Sequence, residues 1–437
     1  MAEQERHEPW EAGITYVIGH QRPDTDAIAS ALGYAWYLSE LEDYPVVAAR
    51  TGHPAVQTQF ALRRFELRPP RLLTSVAPTF GHIAVPQACV SPESGLSAAM
   101  AQIAAGARVV PVARGGVPRG VVTPMALAHA YGGAGRPAVS CGEVAEAAPV
   151  FGATDRLSDY DRALLRRDQS DYLVTDGDGK YLGLATQAAM LNPPRARLVL
   201  VDHNELTQAV SGAAEAEIVG VLDHHRLGNP PTSIPIPFLV DPVGSTCTLV
   251  TEACRRTGLV PPASLAGLML AGILSDTLVF RSPTVTDRDR NAAGWLAKLA
   301  DVDGREFGDE LLRASPGLAG LDPGAIVDSD RKSYEMAELP VSIAQIEVSS
   351  FAELSGVKAD LLAALEDRRE REGLALIGLM VTNIVSGQSR WLCVGEPRLL
   401  IALPFSRVDA GEWDLGDFVS RKKQLVPALE SALEFAA

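Results

Sequence analysis

Short apolar runs that stop abruptly at a carboxylate or an imidazole recur along this chain, and they set its expected architecture. Ile14-Thr-Tyr-Val-Ile18 reads as a short buried strand, closed by Gly19 and followed by a polar turn carrying His20, Asp24 and Asp26. From Ala27 to Leu38 the apolar residues Ile28, Leu32, Ala35, Trp36 and Leu38 fall on one helical face. A second strand is expected at Pro45–Arg50 and a helix around Val56–Phe65, with Arg68-Pro-Pro-Arg71 as punctuation. The pattern returns at Arg197-Leu-Val-Leu-Val201, an unbroken apolar run of the kind found in strands covered on both faces, which ends in Asp202-His203-Asn204. It repeats at Ile218–Leu222, ending in Asp223-His224-His225. After a Pro-rich loop and a helix from about Ser245, Leu268–Leu274 gives a fourth expected strand end at Ser275-Asp276-Thr277. Residues 290–312 read as helices. In an open α/β sheet, the carboxyl ends of the strands are where ligands bind.

Between these segments, from about Ser75 to Pro194, the texture changes to Ala- and Gly-rich sequence without clustered His or Asp. Two similar units are visible there. One runs from Ile83-Ala-Val-Pro86 through a helix at Gly95–Ala105 and a strand at Val109–Val112 to Gly120-Val-Val-Thr-Pro-Met125. The other runs from Val144 through a helix near Leu157–Arg166, a strand at Asp171–Val174 and the turn Asp176-Gly-Asp-Gly179 to Tyr181-Leu-Gly-Leu-Ala-Thr186. A repeat of roughly sixty residues implies two packed copies of one βαββα unit. Ala314–Gly324 reads as a linker. Beyond it, a helix at Ala352–Arg371, strands near Ile343–Val348, Leu376–Thr382 and Trp391–Val394, and a C-terminal helix preceded by Ser420-Arg-Lys-Lys-Gln424 form a separate α+β domain.

Composition narrows this picture. A length of 437 residues allows two to four domains, and 47% hydrophobic content fits a soluble globular protein. The net charge of −15 argues against a nucleic-acid-binding face. Five scattered cysteines without a CxxC fit a reducing compartment. The polar N-terminus is unlike a signal peptide, and no apolar run approaches the roughly 18 residues of a membrane span. The expectation is a cytoplasmic protein with no membrane partner.

The four expected strand ends offer His20, Asp24, Asp26, Asp202, His224, His225 and Asp276. Each has a plainer reading: Asp24 or Asp26 as a helix cap, Asn204 or Asp276 as a cap, His225 as a surface histidine. Together they form a set of carboxylates and imidazoles without thiolates, suited to Mn²⁺, Mg²⁺, Co²⁺ or Fe²⁺. Seven groups exceed the needs of one ion with open positions and match two ions sharing carboxylates, the arrangement that activates a water and clamps both oxygens of a phosphoryl transfer. Ser420-Arg-Lys-Lys-Gln424 alone reads as a solvated helix start. Beside a metal cluster it becomes a phosphate-binding element, with Ser420 capping the helix.

Gly19-His-Gln-Arg-Pro-Asp-Thr-Asp26, Asp202-His-Asn204, Asp223-His-His225, Ser275-Asp-Thr277 and Ser420-Arg-Lys-Lys-Gln424, in that order, resemble the family II inorganic pyrophosphatases of the DHH superfamily. The two-unit repeat resembles a CBS pair, as in the subgroup of those enzymes with a regulatory insert. The resemblance implies an α/β fold: a DHH domain with a mainly parallel sheet (12–73 and 195–313), interrupted by a CBS pair (74–194), then an α/β DHHA2 domain (322–437). It implies two Mn²⁺ ions, with Co²⁺ or Mg²⁺ as alternatives and further Mg²⁺ carried by the substrate. One ion would be held by His20, Asp24, Asp202 and Asp276, the other by Asp26, Asp202, His224 and Asp276. His225 would protonate the leaving phosphate. Lys332, Arg421 and Lys422 would bind pyrophosphate, and a homodimer is implied. An adenine nucleotide is the usual ligand of a CBS pair. Here the Asp that normally holds its ribose is replaced by Ala126 and Ala189, three residues after Thr123 and Thr186.

Three other functions compete. A DHH phosphoesterase acting on oligonucleotides would carry a DHHA1 Gly-Gly-Gly-His run, and none follows residue 330. An exopolyphosphatase of the same superfamily would use nearly the same residues. A non-catalytic nucleotide sensor would not need a complete set of metal ligands.

Overall fold

The structure, a computed structural model, describes residues 9–434 except 133–139, 161–170, 229, 231, 233, 283, 315–317, 319–320, 349–350, 355 and 384–385. The chain begins with β1 (Thr15–Ile18), a helix at Thr25–Ser39, β2 (Val46–Arg50), a helix at Val56–Arg64 and β3 (Arg71–Leu72). The insert contributes β4 (Val110–Arg114), β5 (Val117–Val122), β6 (Val150–Gly152), β7 (Asp171–Thr175) and β8 (Tyr181–Thr186). The chain then returns to the first sheet through β9 (Arg197–Val201), β10 (Glu217–Asp223) and β11 (Phe238–Val240). Every pairing in that sheet is parallel, in the order β11-β10-β9-β1-β2-β3. From the central pair β1–β9 the chain winds outward in both directions. The crevice between their carboxyl ends is therefore the topological switch point.

Both faces of this sheet are covered, which is why its strands lack polar alternation. Val17 and Val199 join a core with Ile28, Leu249 and Leu268, while Tyr16, Ile18 and Leu198 join a second core with Trp10, Leu73 and Val210 on the other face. The expected fourth strand at Leu268–Leu274 is instead part of a helix, Ala263–Asp276, buried from Leu265 to Leu274. A seven-residue apolar run does not by itself distinguish a buried strand from a buried helix. Here Ala, Leu, Met and a single β-branched residue, Ile273, favour the helix. Asp276 thus comes from a helix end. Helices Asp287–Ala300 and Gly304–Arg313 complete this layer.

In the insert, the segments expected to open each unit as strands begin instead as single helical turns, Phe80–Ile83 and Cys141–Val144. Each opening segment then crosses to the other unit. Val85 bridges Leu184 beside β6-β7-β8, and Glu146 bridges Val121 on the β4-β5 hairpin. The crossings are close: a Cβ at Gly120 would meet the Glu146 carbonyl oxygen at 2.4 Å, and one at Gly183 the Val85 carbonyl oxygen at 2.6 Å. Glycine is needed at both related positions. The helix expected near Leu157–Arg166 begins as a 3₁₀ turn at Leu157–Asp159, and its remainder lies outside the described residues, as does much of the expected linker.

The C-terminal domain is a second six-stranded sheet: β12 (Lys332–Met336), β13 (Leu339–Val348), β14 (Leu376–Asn383), β15 (Gln388–Gly395), β16 (Ser406–Asp409) and β17 (Glu412–Gly416). Its order is β12-β13-β14-β15-β17-β16, with β13 and β14 parallel and the other pairs antiparallel. Helix Lys358–Glu372, which starts later than Ala352, packs Leu361 and Leu365 on one face. The C-terminal helix Val426–Glu434 packs Leu429 and Leu433 on the other. No helix among the described residues is long and apolar enough to cross a membrane.

One buried carboxylate ties the helical layer together. Asp289 accepts hydrogen bonds from Gly244 N (3.0 and 2.9 Å), Thr248 Oγ1 (2.6 Å), and Thr286 N and Oγ1 (2.7 Å each). It caps its own helix while anchoring the loop that leads into helix Thr246–Thr257. Asp289→Ala strands those donors and is expected to cost roughly 2–4 kcal/mol. The first thermal unfolding transition should fall by about 5–10 °C. An unchanged transition would mean water replaces the carboxylate without loss.

Candidate metal centre

The carboxyl ends of β1, β9 and β10 lie side by side, and the groups that follow them converge with the end of helix Ala263–Asp276. After β1, Asp24 serves two purposes. Its Oδ1 caps helix Thr25–Ser39 by accepting from Ala27 N at 2.9 Å, while Oδ2 lies 3.5 Å from His20 Nε2. The cap and ligand readings of Asp24 are therefore compatible. Asp26 is fully buried and points at the start of helix Thr246–Thr257. Its carboxylate accepts from Ser245 Oγ (2.7 Å), Thr246 N (2.6 Å) and Cys247 N (3.1 Å). A helix N-terminus supplies both donors and a favourable field for that charge. After β9, Asp202 adopts a left-handed backbone (φ 62°), an uncommon conformation for a non-glycine residue and one that concentrates at functional sites.

Asp202 is the hub. Its oxygens lie 3.4 Å from His20 Nε2 and 3.3 Å from His224 Nε2, and Thr246 Oγ1 donates to Oδ1 at 3.1 Å. His224 Nε2 is also 3.5 Å from Asp276 Oδ2, while its Nδ1 is fixed at 3.1 Å from the Val243 carbonyl. Two sets of potential ligand atoms, each within 4.8 Å of one another, result: His20, Asp24 and Asp202, and Asp26, Asp202, His224 and Asp276. Asp202 belongs to both. Asp276 groups with the second set, where its carboxylate lies beside Asp26 and His224, and the charge of Asp24 from the first set also acts on it. A third set joins Asp202, His224 and His225.

The arrangement fits a divalent cation. Asp202 Oδ2 and His224 Nε2 are buried without a hydrogen-bond partner, a costly state for polar atoms that a metal would relieve. Ionisation tells the same story. Burial alone would lower the His20 imidazole, but Asp202 and Asp24 outweigh it and lift the group to about 10. His224 is lifted to about 9 against the same burial, by Asp202 and Asp26. Burial and the Asp202 charge raise Asp26 to about 6. Burial and three neighbouring aspartates push Asp276 well above the ordinary range, and the charge of Glu347 on β13 adds to the repulsion. Asp202 moves the other way: burial opposes it, but the two imidazoles hold it below the usual carboxylate range.

His225 is half-exposed, and its Nδ1 lies 2.8 Å from Asp223 Oδ1. Asp223 is itself fixed by the His224 and His225 backbone amides (2.7 and 3.1 Å) and by the Asn204 amide. From sequence, Asn204 reads as a helix cap and Asp223 only as part of its motif; in the structure Asn204 instead bonds Asp223 and the Arg226 carbonyl. The signal was present in their motifs, where each stands beside a metal-ligand candidate. Ser245 and Thr246, which hold Asp26 and Asp202, left only a helix-start signal.

The expected substrate cations gather on the edge of the C-terminal sheet. Lys332 opens β12 opposite Ile343, and the Arg421 guanidinium donates to the Ile343 carbonyl at 3.2 Å. Arg421 is nearly buried, held by the Asp330 carboxylate at 3.1 Å and by its carbonyl. Lys422 and Lys332 are exposed, and neither has an ion-pair partner among the described residues. Ser420 caps the turn Arg421–Leu425, a single π-helical turn leading into the last helix.

The family description "DHH family, N-terminal domain" matches residues 14–273, more than half of the chain. The chain belongs to the DHH family. Residues 309–432 of this DHH protein match the DHHA2 domain. A probable manganese-dependent inorganic pyrophosphatase of Lactobacillus delbrueckii is 39% identical over 241 residues, covering 54% of this chain and 77% of the relative. A protein of the same description from Thermotoga maritima is 33% identical over 286 residues, covering 65% and 52%. The crystal structure of a putative family II inorganic pyrophosphatase of Methanococcus jannaschii superposes with a TM-score of 0.53 at 26% identity, covering 96% of this chain and 99% of that one.

Two outcomes follow for the DHH centre. In the metal-free protein His20 and His224 carry protons at pH 7, so Mn²⁺ must displace them. Titrating metal-free protein with Mn²⁺ in dilute buffer should release protons, and affinity should rise between pH 6 and 8. A titration without proton release would contradict this. Gly272 sits where a Cβ would come 2.6 Å from Cys247 Sγ and 2.9 Å from Asp26 Oδ1. Gly272→Ala should weaken Mn²⁺ binding by at least about tenfold, through displaced ligands. Unchanged affinity would show that the helix shifts freely.

Proposed function

We propose that this protein hydrolyses inorganic pyrophosphate to two orthophosphates, using divalent metal held by the Asp–His cluster. The observation that carries the reading is Asp202, one buried carboxylate common to two ligand sets, in a DHH sheet joined to a DHHA2 domain that exposes Lys332 and Lys422. In this reading His20, Asp24, Asp202 and Asp276 would hold one Mn²⁺, while Asp26, Asp202, His224 and Asp276 would hold a second. Bound metal would supply neutralisation of phosphate charge and a more acidic water at these residues.

The protein's own groups do the rest. Lys332 and Lys422 attract the pyrophosphate as point charges, and Arg421 grips two oxygens by exchanging its Asp330 contact for phosphate. Asp223 hydrogen-bonds His225, and together with partial burial sets its proton affinity: the hydrogen bond, the larger effect, raises it, and burial opposes. A protonated His225 can therefore donate to the leaving phosphate, with Asp223 fixing the ring. Residues 74–194 serve as a CBS pair inserted between parts 12–73 and 195–313 of the catalytic domain, with 322–437 as the substrate-binding domain. Thr123 and Thr186 cap the helices after β5 and β8, accepting from Ala126 N at 3.0 Å and Ala189 N at 3.2 Å. The alanines leave no carboxylate at the two ribose positions, which weighs against an adenine nucleotide.

Phosphate release from pyrophosphate, tripolyphosphate and a dinucleotide, each with Mn²⁺, Co²⁺ or Mg²⁺, tests the proposal. Pyrophosphate should be preferred. Asp202→Ala should lower kcat/KM by at least about 10³-fold, and Lys422→Ala should raise KM more than it lowers kcat. Preference for tripolyphosphate or the dinucleotide would keep the centre and overturn the substrate.

A further inference from the structure

A cavity of about 470 Å³ lies behind the helix that carries Asp276. Leu270 and Leu274 line it, whereas Gly272, two residues away and some 200° around the helix, faces Asp26 and Cys247. The cavity is thus separated from the metal ligands by the thickness of the helix. Its floor is apolar, with Ala293 and Ala297 from helix Asp287–Ala300, and Arg281, Arg290 and Arg305 are among the residues that line it.

In a chain of net charge −15 these arginines are poorly neutralised. Arg281 approaches Asp309 only to 3.9 Å, and Arg290 lies over the Phe280 ring, 5.0 Å from its centre. Neither Arg290 nor Arg305 has a carboxylate partner among the described residues. Arg288, on the same helix as Arg290, is gripped by Glu252 and Asp241.

The wall facing these groups is a strained turn. Leu278, Val279 and Phe280 all adopt left-handed backbones (φ 50°, 52° and 63°), and for a β-branched residue such as Val279 that is a real outlier. The turn is held by Val279 N to Leu274 O (2.8 Å) and Arg281 N to Thr277 O (2.9 Å), and it abuts Gly308, where a Cβ would meet Val279 Cγ2 at 2.9 Å. What the strain achieves is placement: Phe280 and Arg281 both line the cavity.

We propose that this cavity is a second ligand site, for a small phosphomonoester with a compact apolar body. The guanidiniums match a dianionic phosphate, and the Leu270–Ala297 floor with the Phe280 ring matches the body. The site is independent of the pyrophosphatase reading.

Isothermal titration of the full-length, Mn²⁺-loaded protein with phenyl phosphate tests it. One site per chain is expected, weakened at least tenfold in the Arg290→Ala/Arg305→Ala double variant. Gly294→Glu provides a second variant: a Cβ there meets nothing within 4 Å, so the helix tolerates it while a carboxylate enters the cavity mouth. Pyrophosphate hydrolysis should be unchanged in both. Absence of heat, heat undiminished in both variants, or heat lost only in Lys422→Ala would each overturn the proposal, the last by placing phenyl phosphate in the catalytic cleft.

Discussion

Crowding aspartates into one low-dielectric crevice is the constraint on which the rest of the DHH domain depends. Like charges at hydrogen-bond range repel strongly away from water, and the fold counters that repulsion group by group. Asp26 sits on a helix N-terminus, Asp202 between two imidazoles and a threonine hydroxyl, and Asp24 on a helix cap. Asp276 receives no comparable set of donors among the described residues, and burial with the neighbouring aspartates raises its proton affinity. Positive charge at the cluster, whether protons on His20 and His224 or metal ions, relieves that repulsion. A site built this way selects for doubly charged ligands before any detail of coordination matters.

Much of this centre was legible in the chain itself, because β1, β9 and β10 are buried on both faces and so print as plain apolar runs ending at the ligands. The parallel sheet brings those ends together whatever lies between them, even an insert of two repeat units. What could not be read was the origin of Asp276. Its apolar approach carries the same hydrophobic signal as a buried strand, and only the packing of Gly272 and Met269 against the first helix and its neighbours shows the choice made. The bonds made by Asp289, Ser245 and Thr246 were also not readable, since a buried acceptor and two hydroxyls owe their importance to donors and acceptors distant in sequence.

The C-terminal domain presents a different kind of legibility. Its strands and last helix follow the pattern of apolar residues, yet the state of its basic residues does not follow from sequence. Arg421 is engaged with Asp330 while Lys332 and Lys422 stand in solvent, a division set by which side chain reaches the Ile343 carbonyl. An arginine already paired within its own domain begins its encounter with an anion by partner exchange, a lysine by simple attraction.

The crossed opening segments of the insert carry a consequence for how such a chain can change. Because Val85 completes the sheet of the second unit and Glu146 that of the first, neither unit is a separable module. Deleting one would expose an unpaired edge in the other. Variation that adds or removes this segment must therefore act on the pair as a block, and its two halves are bound to drift together at the crossings while their outer surfaces remain free to diverge.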